Sequence, residues 1–345
     1  MTAPSKPGQS GRAIRHGRRL TLEATCVQAK MFRIGTRGSP LALAQAHDVR
    51  RRLTTALAIE ADAVEIVVIT TSGDRIQDRA LAQIGGKGLF TKEIEDALFE
   101  HRIDFAVHSM KDVETQLPPG LMIGAILERE DARDAFISLR HPSIEALPQG
   151  AVVGTSSLRR RAQLKNIRPD VEVVEFRGNV ETRLRKLADG IAEATFLACA
   201  GLNRLAMSDR ITSAVPITAM LPAVAQAAVG VEIRADDERA ATALAALNHE
   251  ETALCVTAER VFLARLDGSC RTPVAANATL ADGKFKILGE ILMPDGSQVW
   301  RGTRAGRPTE AMTLANDLAG ELLDTAGPEF AAVVAASQKI NEGHS

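Results

Sequence analysis

The sequence predicts an α/β protein of several domains, in which repeated strand and helix units precede a smaller antiparallel sheet. From Phe32 to about residue 200, β-branched runs alternate with helical patterns, which is typical of parallel sheets. After Glu250, a long helical pattern precedes three strand-like runs separated by Asp-Gly pairs, which favour hairpins. The length of 345 residues exceeds what one core usually supports, so several domains are expected.

The chain opens with a strand, a helix and a second strand. Phe32–Thr36 is predicted as a strand, and Ser39 followed by Pro40 marks a helix start, because serine caps helices and proline fits their first position. Apolar side chains at intervals of three and four continue to Leu57. The β-branched run 64–70 is predicted as a strand buried on both faces.

Similar units follow along the chain. Strands are predicted at 103–107, 121–127, 135–139, 152–154, 171–176 and 195–198, and helices at 91–100 and from Ser157 and Asn179. Prolines at 216 and 222 mark 211–224 as a crossing between two units. A long helix ending at Leu266 precedes strands at 274–280, 285–292 and 298–304, and a helix at 308–326 closes the chain.

Composition excludes several classes of protein. The net charge is -1, so anion binding requires local clusters of arginine and lysine. Aromatic residues make up 3% of the chain and tyrosine is absent, which argues against stacking platforms for nucleic acid. The four cysteines form no CxxC pair, so neither a disulfide framework nor a metal site is expected.

Neither a membrane span nor a secretory signal is predicted. The sequence has no apolar run of the roughly 18 residues that cross a bilayer. Residues 1–30 are basic and lack the apolar core of a secretory signal, so we expect a disordered extension on a cytoplasmic protein. The alternative is an assigned start codon upstream of the true one, since Met31 directly precedes the first predicted strand.

Two loop segments could carry chemistry. GGKGLF at 85–90 fails the phosphate-loop pattern, because Leu81 and Gly88 stand where glycine and Ser or Thr are required, and we expect a loop that covers a cleft. Lys111 and Asp112 directly follow a predicted strand, at the end where α/β sheets bind ligands. A neighbouring cation favours the ionised carboxylate, which suits stabilising a developing positive charge; the alternative is a solvated turn.

Arginines gather at the starts of predicted elements. GTSSLRRR at 154–161 ends a strand and begins a helix, where free N–H groups and the helix dipole favour an anion. Arginines oppose that dipole, so an anion should compensate them, and guanidinium groups bind carboxylates through two hydrogen bonds. A solvated charged face is the alternative. The arginines concerned are Arg159, Arg160, Arg177, Arg183 and Arg204.

Cys270 lies in DGSC at 267–270, a predicted loop between the long helix and the hairpins. A lone loop cysteine usually has no function, because a reactive thiol needs a particular electrostatic setting. Cys199, in an apolar run, is interpreted as core, and His108, at a strand end without an apparent partner, as structural.

Several motifs together resemble the porphobilinogen deaminase family over about residues 32–330, in matching order. They are RIGTRGSPLA at 33–42, GGKGLF at 85–90, HSMKD at 108–112, GTSSLRR at 154–160, RGN at 177–179 and the Cys270 loop. The resemblance implies a transferase that condenses four porphobilinogen molecules into hydroxymethylbilane and releases ammonia from each. It also implies a dipyrromethane cofactor held by a thioether to Cys270.

The resemblance further implies site residues and a fold. Asp112 matches the family's catalytic aspartate. The implied fold has two periplasmic-binding-protein-like α/β domains around a cleft, at 31–128 plus 226–246 and at 129–225, and a smaller C-terminal α+β domain with an antiparallel sheet at 247–345. Residues matching the cofactor- and substrate-binding set are Arg37, Ser39, Phe90, Ser109, Lys111, Thr155, Ser157, Arg159, Arg160, Arg177, Arg183, Arg204 and Gln226.

The sequence departs from the family pattern at four positions. Ala225 and Ala227 stand where glycines are common, Glu114 where proline is frequent, and Ser269 where a glycine often precedes the cysteine. None of these is a reacting group, so the departures bear on rates and hinge mobility.

Two other functions compete with the enzyme. A non-enzymatic two-lobed binding module for a small polyanion would need the arginines but not Cys270. Nucleic-acid binding through the arginines of 159–168 would give strongly salt-dependent DNA retention, of which we expect little. The expected partner is porphobilinogen, with no nucleic acid, no membrane and a monomeric chain.

Overall fold

A computed structural model describes residues 1–2, 31–75, 90–266 and 272–342. The predictions for Cys270, for Ser269, for residues 85–89 of the glycine-rich loop and for residues 3–30 therefore fall outside the described residues. The strands are β1 (Phe32–Thr36), β2 (Val64–Val68), β3 (Phe105–Ser109), β4 (Leu121–Ile126), β5 (Asp134–Ser138), β6 (Val152–Gly154), β7 (Glu172–Val174), β8 (Ala194–Ala198), β9 (Ser213–Ala214), β10 (Val229–Arg234), β11 (Val274–Ala281), β12 (Lys284–Leu292) and β13 (Val299–Gly306).

Helices lie in each interval for which one was predicted, whereas the helices Ser72–Arg75, Cys199–Arg204 and Glu238–Leu244 were not predicted. Within the described ranges, none is long and apolar enough to cross a lipid bilayer. They are α1 (Pro40–Leu57), α2 (Ser72–Arg75), α3 (Lys92–Phe99), α4 (Leu158–Ile167), α5 (Val180–Ala188), α6 (Cys199–Arg204), α7 (Glu238–Leu244), α8 (Glu250–Arg265) and α9 (Ala311–Glu342).

The first sheet has the strand order β2-β1-β3-β10-β4, and with its helices we call it lobe 1. β1 pairs in parallel with β2 and β3, whereas β10 runs antiparallel to both of its neighbours. Buried apolar side chains cover both faces, from α1 and α7 on one face and from α3 on the other. The sheet therefore presents the carboxyl ends of β1 and β3 beside the start of α1.

The second sheet, which with its helices we call lobe 2, repeats this order as β7-β6-β8-β5-β9. β6 is parallel to β7 and β8, and β5 is antiparallel to β8 and β9. The chain passes from β4 into lobe 2 at β5 and returns from β9 to lobe 1 at β10. Each sheet thus contains one strand that runs antiparallel to both neighbours, β10 in lobe 1 and β5 in lobe 2, and each of these strands directly follows a connection between the lobes. This is the two-lobed α/β fold expected from the sequence.

The C-terminal part is an antiparallel sheet, β11-β12-β13, packed against α8 and α9. Asp282 and Gly283 have φ of 50° and 69°, as a two-residue hairpin turn requires. Helical geometry breaks at Gly327, before Pro328, so the first part of α9 ends at the predicted residue 326 and a second helical stretch follows. The hairpin prediction and the end of the predicted helix are confirmed, and the helical stretch after Gly327 was not predicted.

Three strand predictions need correction. β2 lies at the edge of the first sheet with Val68 54% exposed, so the expectation of a strand buried on both faces is wrong. β3 begins at Phe105, two residues later than predicted. The sequence analysis placed no strand at β10, because Glu232 and Arg234 interrupt its apolar pattern, yet both side chains are buried and hydrogen-bonded.

A buried ion pair links the C-terminal part to the two crossings between the lobes. The first crossing runs from β4 to β5 and the second from β9 to β10. Glu259 of α8 is fully buried and accepts hydrogen bonds from the Arg129 guanidinium at 2.6 and 3.1 Å. It also accepts the backbone N–H groups of Ala225 and Ala278 at 2.6 and 2.7 Å. Because Arg129 lies in the first crossing and Ala225 in the second, one carboxylate links α8 to both connections between the lobes.

The second crossing contains two alanines in an unusual backbone conformation. Ala225 and Ala227 have φ of 58° and 75°, the left-handed region that favours glycine. A residue with a side chain pays roughly 1–2 kcal/mol there. The two methyl groups restrict the backbone at positions where the family commonly has glycine.

Candidate active site

A cavity of about 70 Å³ lies at the carboxyl end of β3, beside the amino ends of α1 and α3. Asp112 follows β3 within a single 3₁₀ turn, Met110–Asp112, and its side chain is exposed. The strand thus delivers this carboxylate to the sheet edge where α/β proteins bind ligands. The lining residues are Arg37, Ser39, Leu41, Ala42, Gln45, Phe90, Thr91, Val107, His108, Ser109 and Asp112.

Side-chain contacts order the cavity wall next to α1. Ser39 Oγ accepts the Ala42 N–H and caps the helix, as predicted. Gln45 Nε2 donates to Ser109 Oγ at 2.8 Å, and Gln45 is a lining residue that the sequence analysis did not identify. The Arg37 guanidinium lies 4.2 Å from the centroid of the Phe90 ring, so these two predicted residues contact each other.

Four cations gather near Asp112. Burial lowers the pKa of Lys111; Asp112 opposes this shift and Arg160 adds to it. Burial, together with the charges of Arg160 and Arg177, lowers the pKa of Arg183 to about 10, and Asp112 opposes that shift. Arg183 therefore stays charged at neutral pH. The exposed carboxylate of Asp112 thus lies beside Lys111 and Arg183, with Arg160 and Arg177 near these two cations, and such a group of cations attracts a polyanionic ligand.

Arg159 and Arg160, at the start of α4, are compensated by an acid of the chain itself. Asp134 is fully buried, and its carboxylate accepts hydrogen bonds from Arg159 Nη1 and Arg160 Nη2, each at 2.7 Å. Although burial alone would raise its pKa, the two guanidinium charges hold the pKa of Asp134 well below its usual range. An anion was expected to compensate this pair, and in the structure the carboxylate of Asp134 does so.

Asp134 was not among the predicted site residues, yet the sequence contains a signal for it. It begins an apolar strand, and a buried acid in such a position is rarely left unpaired. Gln226, a predicted residue in the second crossing, donates from Nε2 to the same carboxylate at 2.9 Å. The arginine pair, Asp134 and Gln226 therefore form one buried network.

The predicted hydroxyl residues of lobe 2 order the start of α4. Ser157 Oγ accepts the Arg160 N–H at 3.4 Å as the helix cap. Thr155 Oγ1 accepts the Ser157 N–H at 3.2 Å. Both side chains thus support the backbone that carries the arginines, and their contact with a ligand stays a prediction.

Two other predicted arginines flank the start of α5. Arg183 Nε donates to Gly178 O at 2.8 Å, and Arg177 Nη1 is buried without a hydrogen-bond partner among the described residues. Arg204 has different neighbours: it donates to Ala227 O at 2.7 Å and is attracted by Glu130. The structure thus brings Arg183 near Asp112, with Arg177 beside Arg183, and sets Arg204 in separate surroundings.

Asp134→Asn is expected to lower the free energy of unfolding by about 3–5 kcal/mol at neutral pH, because two buried guanidinium groups lose their counter-charge. The folded-state pKa of Asp134 lies below its unfolded value of about 3.9. Its contribution is therefore present above the unfolded pKa and is lost as pH falls through the folded pKa. Urea unfolding near neutral pH and near pH ~3 should show a smaller difference from wild type at the lower pH.

Asp131→Asn is the control for this prediction. Asp131 pairs with Arg133 at 2.6 Å, but both side chains are partly open to solvent. The loss of such a pair costs about 0–1 kcal/mol. Equal losses of stability in the two variants would contradict the special role of Asp134.

Comparison with protein-family models gives two matches that together cover most of the chain. "Porphobilinogen deaminase, dipyromethane cofactor binding domain" matches residues 32–242. "Porphobilinogen deaminase, C-terminal domain" matches residues 253–324. The first match contains both lobes, and the second contains most of α8 and the antiparallel sheet.

Relatives with the same name occur in bacteria and plants. Porphobilinogen deaminase of Paracoccus denitrificans (strain Pd 1222) is 59% identical over 299 residues, which cover 87% of this chain and 96% of that protein. The chloroplastic porphobilinogen deaminase of Pisum sativum is 52% identical over 320 residues, covering 90% of this chain and 86% of that protein.

Among solved structures, a nutrient binding protein from Burkholderia cenocepacia bound to methionine matches with a TM-score of 0.39 and 14% identity. The match covers 64% of this chain and 93% of that chain. Because this TM-score is low, the match adds nothing to the fold assignment, which rests on the strand order of the sheets.

Proposed function

Because the chain belongs to the porphobilinogen deaminase family, we propose that the cavity at Asp112 and the cations around it form its active site. The protein is a transferase of tetrapyrrole biosynthesis, which condenses four porphobilinogen molecules stepwise into hydroxymethylbilane and releases ammonia from each. It uses a dipyrromethane cofactor. The alternative of a non-enzymatic polyanion receptor is not favoured by these relatives.

One observation supports the assignment of the site: Lys111 and Arg183 interact with the exposed carboxylate of Asp112, and Arg160 and Arg177 lie near these two cations. Each pyrrole brings two carboxylates, so the growing chain gains negative charge with every substrate added. Because the protein has a net charge of only -1, these local cations must supply the attraction.

The cation set suits a dipyrromethane with acidic side chains. Arg177 Nη1 is buried without a partner among the described residues, and a carboxylate oxygen would satisfy it. We assign Lys111, Arg177 and Arg183 to bind carboxylates of the cofactor and of the substrate, and Cys270 to attach the cofactor. When bound, the cofactor supplies the pyrrole terminus to which the first substrate is joined. In the sequence, Cys270 lies between α8 and β11, which both belong to the C-terminal part.

We assign to Asp112 the stabilisation of positive charge on the reacting pyrrole. When ammonia leaves the aminomethyl group of the substrate, the remaining cation is shared between that carbon and the ring N–H. A carboxylate at the end of β3 can accept the N–H and balance the charge as it develops. Such an interaction is stronger in the transition state than in the bound substrate, so it raises the rate.

Intact mass and peptide mapping of the purified protein test the active-site assignment. We expect an added mass of two condensed pyrrole units on the proteolytic peptide that contains Cys270. A polyanion receptor predicts the unmodified mass instead. An adduct on any other peptide would refute the assignment of Cys270.

Arg183→Leu is expected to raise KM for porphobilinogen roughly 10- to 100-fold, since a hydrogen bond to a charged group contributes about 1.5–3 kcal/mol and ~1.4 kcal/mol is tenfold. Arg183 is partly buried near Asp112, whereas Arg185 of the same helix is exposed. Arg185→Leu is therefore the matched control and should keep KM near wild type. Steady-state kinetics would remove Arg183 from the site if both variants had the same KM.

We also propose domain limits of 31–128 with 226–246, 129–225 and 247–345, and a cytoplasmic monomer as the working form. The crossings from β4 to β5 and from β9 to β10 support the limits between the lobes.

A further inference from the structure

His108 has a buried partner, Glu232, which the sequence did not reveal. His108 Nε2 lies 2.9 Å from Glu232 Oε2, between the paired strands β3 and β10. The Glu232 side chain is 0% exposed and the His108 side chain 4%. A carboxylate that is hydrogen-bonded to one imidazole nitrogen fixes the orientation of the ring and determines which nitrogen carries the proton.

The second ring nitrogen of His108, Nδ1, is not used in the contact with Glu232. His108 lines the same cavity as Asp112. The described residues offer Nδ1 no hydrogen-bond partner, yet Nδ1 is not one of their fully buried unpartnered atoms. The small exposed part of the ring therefore includes Nδ1, and we place its lone pair at the cavity.

Acidic groups surround this histidine. Burial raises the pKa of Glu95 on α3, and the nearby Glu232 raises it further. Arg260 of α8 is the cation attracted by Glu232. These carboxylates can balance the positive charge that the imidazole ring gains when it accepts a proton.

The reaction requires a base that Asp112 does not provide in its assigned role. A carbon–carbon bond forms between the aminomethyl carbon of the substrate, which loses ammonia, and the free α-carbon of the terminal pyrrole. That α-carbon must then lose its hydrogen for the ring to become aromatic again. If Asp112 stays ionised to balance the ring charge, another group must accept this proton.

We propose that His108, oriented by Glu232, accepts at Nδ1 the proton that leaves the pyrrole α-carbon after each carbon–carbon bond forms. The electron pair of the broken C–H bond re-forms the ring double bond. The imidazolium then gives the proton to the released ammonia, which leaves as ammonium. This role rests on the active-site assignment above.

Nitrogen-15 NMR of the histidine-labelled holoenzyme tests the proton position without reference to turnover. We expect His108, assigned by the signal lost in His108→Gln, to carry its proton on Nε2 and to leave Nδ1 unprotonated. Glu232→Gln should weaken this preference. A proton found on Nδ1 in the neutral ring would overturn the proposal, because its lone pair would then be unavailable.

Kinetics with porphobilinogen deuterated at the free α-carbon test the step itself. His108→Gln should lower kcat by about 10²-fold and show a primary deuterium isotope effect larger than that of wild type, because removal of this proton becomes slower. A purely structural role would lower kcat without the larger isotope effect. That outcome, or a kcat near wild type, would overturn the proposal.

Matched controls separate this proposal from the active-site assignment. His141→Gln removes a similar histidine–glutamate pair, with Nε2 3.1 Å from Glu193 Oε2 in lobe 2, and should keep the wild-type kcat. Asp112→Asn tests the site itself. If Asp112→Asn lost activity while His108→Gln turned over normally, the role of His108 alone would be refuted.

Discussion

Cys270→Ser is expected to yield a folded protein without the dipyrromethane adduct and without measurable turnover. A serine hydroxyl is a far weaker nucleophile than a thiolate and does not form the thioether. Without the attached primer, no growing chain is retained among the cations near Asp112. Intact mass and an assay of porphobilinogen consumption measure the two effects, and circular dichroism checks the fold.

The other cysteines provide controls for the Cys270 experiment. Cys199 and Cys255 are buried, and burial raises the pKa of each thiol to about 11. Both therefore stay protonated at neutral pH and are poor nucleophiles. Cys255→Ser should keep the adduct and the activity. If the adduct remained in Cys270→Ser, the attachment site would be elsewhere in the chain.

Asp112→Asn is expected to reduce kcat by about 10²–10³-fold while leaving the fold intact, because removing one preorganised electrostatic partner of a developing charge typically has an effect of this size. The side chain is exposed, so the amide costs little stability. The amide can still bond a ring N–H but no longer balances the positive charge. Single-turnover kinetics separate this loss from a change in substrate binding.

Glu114→Gln is the matched control for Asp112→Asn. It removes one negative charge two residues further along the same segment, at a position where the family frequently has proline. We expect kcat within a few-fold of wild type. If the two variants had similar rates, a general loss of negative charge would explain the effect and Asp112 would have no specific role.

Much of the fold was predictable because its signals are local. Ser39 and Asn179 cap α1 and α5 as predicted, since a cap depends on residues three positions apart. The Asp282 and Gly283 turn follows from the same kind of short-range chemistry. Cys199 is buried, as its apolar surroundings indicated.

Contacts between distant residues were not predictable in this way. Asp134 pairs with Arg159, which lies 25 positions away in the sequence, and Glu232 pairs with His108, which lies 124 positions away. The edge position of β2 likewise depends on the order of strands in the sheet, which no local pattern contains. Isolated acidic residues in apolar runs were the available signal, but the sequence does not indicate which basic side chain each of them contacts.

The course of the chain through the two lobes also has a consequence for protein engineering. The chain leaves and re-enters lobe 1 at adjacent points, since Leu127 N donates to Val229 O at 3.0 Å. In lobe 2, Ala135 on the entering strand is paired with Ala214 on the leaving strand. Lobe 2 is therefore an uninterrupted insert whose ends lie together, a geometry in which circular permutation and domain insertion are tolerated. A chimera that exchanged this insert for that of a relative would cut the backbone at two neighbouring points.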